Sequence, residues 1–264
     1  MSQQDQGSTP STEKANEDQG FAMQDIRSSK NLAAFTEVVE SRRSVRKFTD
    51  TPIPDDVLED CLRLAMLAPN SSNLQPWEFY VIETPDKRSK ANKICMNQNA
   101  ARTANKLIAV VARTDTWRDH AKQNISDFPD GKAPKKVRDY YEKIVPLDFL
   151  RGPAGVISVA KWGMTKAVRQ FKGPIKTPCY TYDDIKNWAM YNTALAAENL
   201  ILAIRAHGFD SCAMGGLDEP ALKKLLKLSD HHHVVMMIAA GERAERGIYH
   251  SQFRFDYDKF VKRV

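Results

Sequence analysis

The stretch 185–207 constrains this chain more than any other, because its apolar residues run around most of a helix and not along one stripe. Ala189, Ala194, Ala196, Ala197 and Ala203 alternate with Trp188, Leu195, Leu200, Ile201 and Leu202, and Trp188, Tyr191, Leu195, Glu198 and Leu202 mark the helical repeat. A surface helix needs an apolar stripe only about 100° wide. A broader one demands burial on several sides, which either a central helix within a monomer or a helix at a dimer interface satisfies. Gly208 supplies the stop.

Around this helix the chain alternates. Leu32, Phe35, Val38 and Val39 share one helical face, with Asn31 as the expected cap. A second helix follows Pro54, with Val57, Leu58, Cys61, Leu62 and Ala65 inward. Residues 78–83 (EFYVIE) and 106–112 (KLIAVVA) read as strands bracketing a helix around 86–97. Residues 209–212 read as a short strand, 219–228 as a helix and 233–240 (HVVMMIAA) as a buried strand. Strands interleaved with helices predict a layered α/β or α+β architecture.

Two segments stand apart. Residues 1–30 are rich in Gln, Ser, Asp and Gly and poor in large apolar groups, a composition that predicts disorder. They carry a net charge of −2, so the remaining chain carries +8 and the whole chain +6. Residues 114–184 hold six of the 13 prolines and predict an irregular excursion with short helices, outside the core. The same segment carries nine of the 23 aromatic residues and a +4 charge, too much for a linker, and so reads as a lid or binding insertion. No run of apolar residues is long enough to span a bilayer and no signal segment is visible, so the expectation is a cytoplasmic protein without a membrane partner. The four cysteines form no CxxC pair, which excludes a zinc cage or a disulfide scaffold.

Four clusters carry chemistry. Arg42, Arg43, Ser44 and Arg46 place guanidinium forks and a hydroxyl within five residues, suited to gripping a phosphate. The segment Pro69-Asn70-Ser71-Ser72-Asn73-Leu74-Gln75-Pro76-Trp77 offers small polar groups to a planar heterocycle, with prolines holding its shape. In Ala213-Met214-Gly215-Gly216 the paired glycines either let backbone approach a ligand or simply make a tight turn. Asn97-Gln98 carries no meaning alone. His231-His232-His233 project in different directions without a carboxylate or thiol cluster, so a metal site is not expected. Cys212 reads as a small buried residue.

Together and in this order, these clusters resemble the FMN-dependent nitroreductase family over roughly residues 31–113 and 185–264. The resemblance implies an α+β fold of three layers, a central mostly antiparallel sheet flanked by helices, in an intertwined homodimer. It implies a single domain over 31–264 that binds FMN at the dimer interface. Hydride from NADH or NADPH would pass through flavin N5 to a nitroaromatic, quinone or related small-molecule acceptor, by a ping-pong mechanism. Carried over by position, Arg42, Arg43, Ser44 and Arg46 would hold the FMN phosphate and ribityl end, and Asn97 a ribityl or ring atom. Pro69, Asn70, Ser71 and Asn73 would reach the FMN of the other subunit. Met214, Gly215 and Gly216 match the turn against the isoalloxazine, and Arg254 matches a C-terminal phosphate-binding basic residue. No side-chain general base and no metal are implied.

Two departures matter. Gly215 stands where many of the family carry Glu, and the insertion 114–184 is longer than the family's usual lid. Reductive dehalogenation on the same fold and flavin binding without turnover are the alternatives. Nucleic-acid binding is disfavoured, because the basic residues gather at the proposed cofactor motif and insertion instead of on one aromatic-interleaved surface.

Overall fold

The computed structural model describes residues 29–152 and 155–264. By contact it divides into two units, residues 1–37 and 38–264. The first is described only from Ser29, where helix α1 (Ser29–Ser41) begins with Leu32 and Phe35 exposed. The disorder expected of residues 1–30 therefore lies, up to residue 28, outside the described residues. Asn31 does not cap this helix: it sits inside it, two residues after the start.

The second unit is built on four strands, β1 (Trp77–Val81), β2 (Lys106–Arg113), β3 (Asp210–Met214) and β4 (His232–Gly241), in the order β1-β2-β4-β3 with every pair antiparallel. Alternation along β2 explains the layers. Leu107, Ala109 and Val111 face one apolar cluster, while Ile108 and Val110 face another. A strand apolar on both sides must be covered on both sides. One face is covered by α2 (Asp55–Met66) and α9 (Tyr182–Ala206), through Leu58, Cys61, Leu200 and Ile204. The other is covered by α3 (Pro85–Ile94), α4 (Asn99–Thr103) and α10 (Glu219–Leu226), through Ala91, Ala101 and Leu222. This is the three-layer α+β arrangement expected.

Helix α9 starts three residues earlier than its apolar repeat shows. Thr181 Oγ1 accepts from the Asp184 N–H, and the Asp184 carboxylate accepts from the Thr181 N–H, a reciprocal cap. Gly208 follows the helix at φ 85°, a conformation that favours glycine. The repeat itself divides. Trp188 is buried, whereas Tyr191 and Leu195 form an exposed apolar row.

The insertion differs from expectation. It is mostly helical: α5 (Trp117–Ser126), α6 (Lys135–Asp139), a π-helical turn (Tyr140–Ile144), α7 (Val145–Phe149) and α8 (Val156–Lys172). Pro134 stands at the start of α6, where a missing N–H costs nothing, and Pro146 follows the π-helical turn inside one unbroken helical run over 135–149. Nor does it lie outside the core. Trp117, Ala121, Val145 and Phe149 pack with Leu74, Ala112, Trp188 and Ala189. The Phe149 ring stacks on Trp117 at 5.2 Å and meets Trp188 edge-on at 4.7 Å. Helix α8 is inverted: Ser158, Lys161 and Thr165 are buried while Val156, Val159, Trp162 and Phe171 face outward. The Lys161 ammonium donates to the carbonyls of Cys179 at 2.7 Å and Asp148 at 3.1 Å.

The two ends of the insertion meet at the start of β4. Tyr182 Oη lies 2.9 Å from both Thr114 Oγ1 and His233 Nε2. Burial, then Lys186 and Lys223, lower the His233 pKa from its ordinary 6.5. The fold thus keeps His233 neutral where an unfolded chain already binds a proton. Its contribution to stability is full above about pH 6.5 and falls as the pH drops toward the lowered value. Thermal unfolding at pH 7.5 and 5.5 should show a smaller acid loss for His233→Gln than for the wild type; equal losses would refute this role. Phe149→Ala should destabilise by about 3–5 kcal/mol, as buried aromatic truncations do. Denaturant unfolding measures it, and a change under about 1 kcal/mol would put Phe149 outside the core.

Candidate functional site

The arginine cluster is held against β3. Ser44 bridges Ser211 in parallel, the Val45 N–H donates to the Ser211 carbonyl at 3.0 Å, and the Arg46 N–H donates to the Gly247 carbonyl at 2.7 Å. Val45 is fully buried, so this short extended run is anchored and the residues on either side of it are turned outward. Arg43 Nη2 donates to the His250 carbonyl at 2.6 Å, and the Arg46 guanidinium lies 5.2 Å over the Tyr249 ring. Arg42 and Arg46 both act on the Cys212 thiol, lowering its pKa against the larger effect of burial, which pushes it up. Cys212 therefore remains a protonated, buried thiol.

Charge is divided unequally here. Asp210, nearly inaccessible, pairs with Arg205 at 3.2 Å and Arg243 at 2.7 Å. Among the described residues, no carboxylate pairs with Arg42, Arg43 or Arg46. Three guanidinium groups within five residues, without a carboxylate partner among the described residues, leave this edge of β3 with uncompensated positive charge.

The glycine turn and the Asn97 segment join this cluster. Met214 ends β3 with its side chain in the core, so it belongs to the strand and not to the turn. Neither Gly215 nor Gly216 has a positive φ, but the Leu217 N–H donates to the Gly215 carbonyl at 3.1 Å, so the chain does turn tightly here. A Cβ on Gly215 would meet nothing within 4 Å, and one on Gly216 only Gln98 Nε2 at 3.4 Å. What these glycines leave is open space beside backbone. Gln98 Nε2 donates to the Gly216 carbonyl at 2.8 Å and its residue caps α4. Met96 and Asn97, at φ 57° and 51°, turn the chain between α3 and α4 and leave Asn97 exposed. Asn99 Nδ2 then reaches Tyr249 Oη at 3.4 Å, which closes a chain of contacts from Arg46 to Gly216. Gln98 is visible in the sequence only as the second member of the Asn97-Gln98 pair, and Tyr249 carries no local signal.

The segment Pro69–Trp77 lies elsewhere. It leads into β1 at one edge of the sheet, whereas the glycine turn leaves β3 at the other. Three inter-strand steps separate these edges, about 14 Å. Asn70 Oδ1 accepts from the Gln75 N–H at 2.8 Å, and the Ser71 N–H donates to the buried Asn192 side chain at 2.7 Å. Ser72, Asn73 and Gln75 have φ values of 60°, 48° and 42°. For non-glycine residues each such conformation costs on the order of 1–2 kcal/mol. Arg254 joins neither group: it is exposed, and its guanidinium donates to the neighbouring Phe253 carbonyl at 2.7 Å. Next to Asn73 and Gln75 a groove of about 1780 Å³ opens between β1 and α2 on one side and the insertion on the other, with Trp77, Phe79, Tyr140 and Tyr141 among its walls. Among the described residues there is no cluster of three or more metal-ligating side chains.

Residues 39–242 match the model of the nitroreductase family. The chain belongs to the nitroreductase family. It is 24% identical to the 4-nitrobenzoate reductase of Nocardioides sp., over 80% of this chain and 81% of that protein. It is 25% identical to the CLA biosynthesis enone reductase of Lactiplantibacillus plantarum, over 82% and 89%. Its fold matches, with a TM-score of 0.65 and 24% identity over 87% of this chain and 97% of the other, a chain of Exiguobacterium sibiricum 255-15 assigned as a nitroreductase and solved in complex with FMN.

Proposed function

We propose that this protein is an FMN-dependent NAD(P)H oxidoreductase that reduces nitroaromatic, quinone or related acceptors. The observation that carries the reading is the set of uncompensated guanidiniums of Arg42, Arg43 and Arg46 beside the open space at Gly215. That donor set fits a phosphate monoester, and a flat ring system fits a backbone without Cβ atoms. Ser44 and Asn97 would complete the phosphate and ribityl contacts, and the Met214–Gly216 backbone would face the ring. When bound, FMN supplies hydride transfer between the nicotinamide and the acceptor, which alternate on one open face in ping-pong fashion. The protein's part is binding, orientation and charge: cations at the phosphate and donors along the ring favour electron-rich flavin.

The functional unit is a homodimer. Exposed apolar groups on α9 (Tyr191, Leu195) and on the C-terminal segment (Phe253, Phe255, Phe260) need a cover that the described residues do not supply. A twofold pair would let Pro69, Asn70, Ser71 and Asn73 of one chain meet the flavin held by the other. Arg254 would add a further cation to a phosphate. The groove beside the insertion would receive the acceptor. The four cysteines are unpaired, three of them buried, which suits a reducing compartment such as the cytoplasm.

The purified protein should be yellow, or become so on titration with FMN. Arg42→Ala should weaken FMN binding by about 1.5–3 kcal/mol, the worth of a charge-assisted contact. Failure to take up FMN would end this reading, and NAD(P)H oxidation with and without acceptors separates an enzyme from a flavin carrier. Light scattering at micromolar protein should give the mass of a dimer, made firmer by FMN. A monomeric mass from a fully flavinated sample would refute the shared site.

A further inference from the structure

The loop assigned above to the partner's flavin is held from two directions, and the direction that matters most comes from the insertion. Helix α9 fixes only its ends: the Asn192 side chain accepts from the Ser71 N–H, and Thr193 Oγ1 donates to the Pro76 carbonyl at 3.0 Å. The middle of the loop is a single 3-10 turn, Ser71–Asn73, that contains the left-handed residues Ser72 and Asn73 and is closed only by long backbone bonds of 3.4 Å. Among the described residues, every side-chain hydrogen bond to Ser72, Asn73 and Leu74 that reaches across the fold comes from residues 120–141. Tyr140 Oη is 2.6 Å from Ser72 Oγ, and Tyr141 Oη donates to the Ser72 carbonyl at 3.1 Å. Asn124 makes a two-way clasp: its Oδ1 accepts from Asn73 Nδ2 at 2.6 Å, and its Nδ2 donates to the Asn73 carbonyl at 2.8 Å. His120 Nδ1 lies 2.7 Å from the Leu74 carbonyl, which can only accept, so this nitrogen carries the proton.

We propose that His120, Asn124, Tyr140 and Tyr141 are positioning residues that, by holding Ser72, Asn73 and Leu74, fix the loop from which Ser71 and Asn73 would contact the cofactor, so that the insertion governs flavin binding as well as acceptor access. The proposal rests on the flavin reading of the preceding section. Its physical basis is that a strained conformation persists only where surrounding contacts over-determine it. The bracing side chains also line the 1780 Å³ groove, so a ligand entering there touches the groups that set the loop. An insertion that served only as a lid would have no reason to make these bonds, since it could open and close without touching the loop's backbone.

The test uses Tyr140→Phe, Asn124→Ala, Ser72→Ala and the double variant Ser72→Ala/Tyr140→Phe in the full chain. Amide hydrogen exchange across residues 70–76, measured without flavin, should accelerate in Tyr140→Phe and Asn124→Ala while exchange in β2 and β4 stays as in the wild type. The FMN dissociation constant should rise roughly 3- to 10-fold, the worth of one net hydrogen bond, and the bound flavin's visible absorption band should change shape. Tyr140→Phe should add nothing in the Ser72→Ala background, because it acts through that hydroxyl. Unchanged exchange in both single variants overturns the brace. Faster exchange with an unaltered FMN dissociation constant and absorption band overturns its link to the cofactor. If the wild-type chain takes up no FMN, the flavin reading fails, and the exchange measurement alone decides the brace.

Discussion

The burial of α9 is the interaction on which the rest of the structure depends. One face of this helix covers the sheet through Ala197, Leu200, Ile201 and Ile204, and its first turns hold the insertion through Ile185, Trp188 and Ala189. Between these two contacts Asn192 and Thr193, both inaccessible, fasten the ends of the loop that precedes β1. Asn192 would be costly to bury unpaired; it is satisfied at Ser71 and at the Trp188 carbonyl, 2.7 Å away. Core packing and loop placement are therefore one problem, solved along a single helix.

That helix was legible in the sequence because small and large apolar groups encircle it, and the sheet was legible because β2 and β4 are continuous apolar runs. The strand limits were read to within a few residues. What escaped is instructive. The start of α9 is set by the Thr181–Asp184 cap, which precedes the apolar repeat and is visible only as a four-residue spacing. Helix α4 is five residues long and shows no periodicity. The prolines of the insertion read as breakers, yet at helix starts they are compatible with helix, and the aromatic count was the truer signal that Trp117 and Phe149 join a core. Asn31 looked like a cap because Ser29 and Lys30 were counted with the polar tail.

The candidate site was legible in part. The arginine run announces an anion by composition, but a basic run after a helix has an equally ordinary reading as a solvated turn. The difference lies in pairing across the fold, which no local pattern contains. Asp210 neutralises Arg205 and Arg243, distant in sequence from the run, and among the described residues leaves Arg42, Arg43 and Arg46 without a carboxylate. Likewise the double glycine is open to two readings in sequence, and the structure shows both a tight turn, with the Leu217 N–H donating to the Gly215 carbonyl at 3.1 Å, and open space beside Gly215. The bonds from Tyr140, Tyr141, His120 and Asn124 to the loop cross 46–69 positions, and sequence spacing carries no trace of them.

Strand order separates the two polar segments within one chain. The loop enters β1 and the glycines leave β3, and in the order β1-β2-β4-β3 these are opposite edges. Between them the faces of the central strands are covered by α2 and α9 on one side and α3, α4 and α10 on the other. In the proposed homodimer the loop of one chain would meet the ligand held by the other, and twofold symmetry would repeat the arrangement at the second site. Each site would then draw its charge from one chain and its polar loop from the other. Binding would report on the dimer, on α9 and on the insertion at once, since all three position the same few residues.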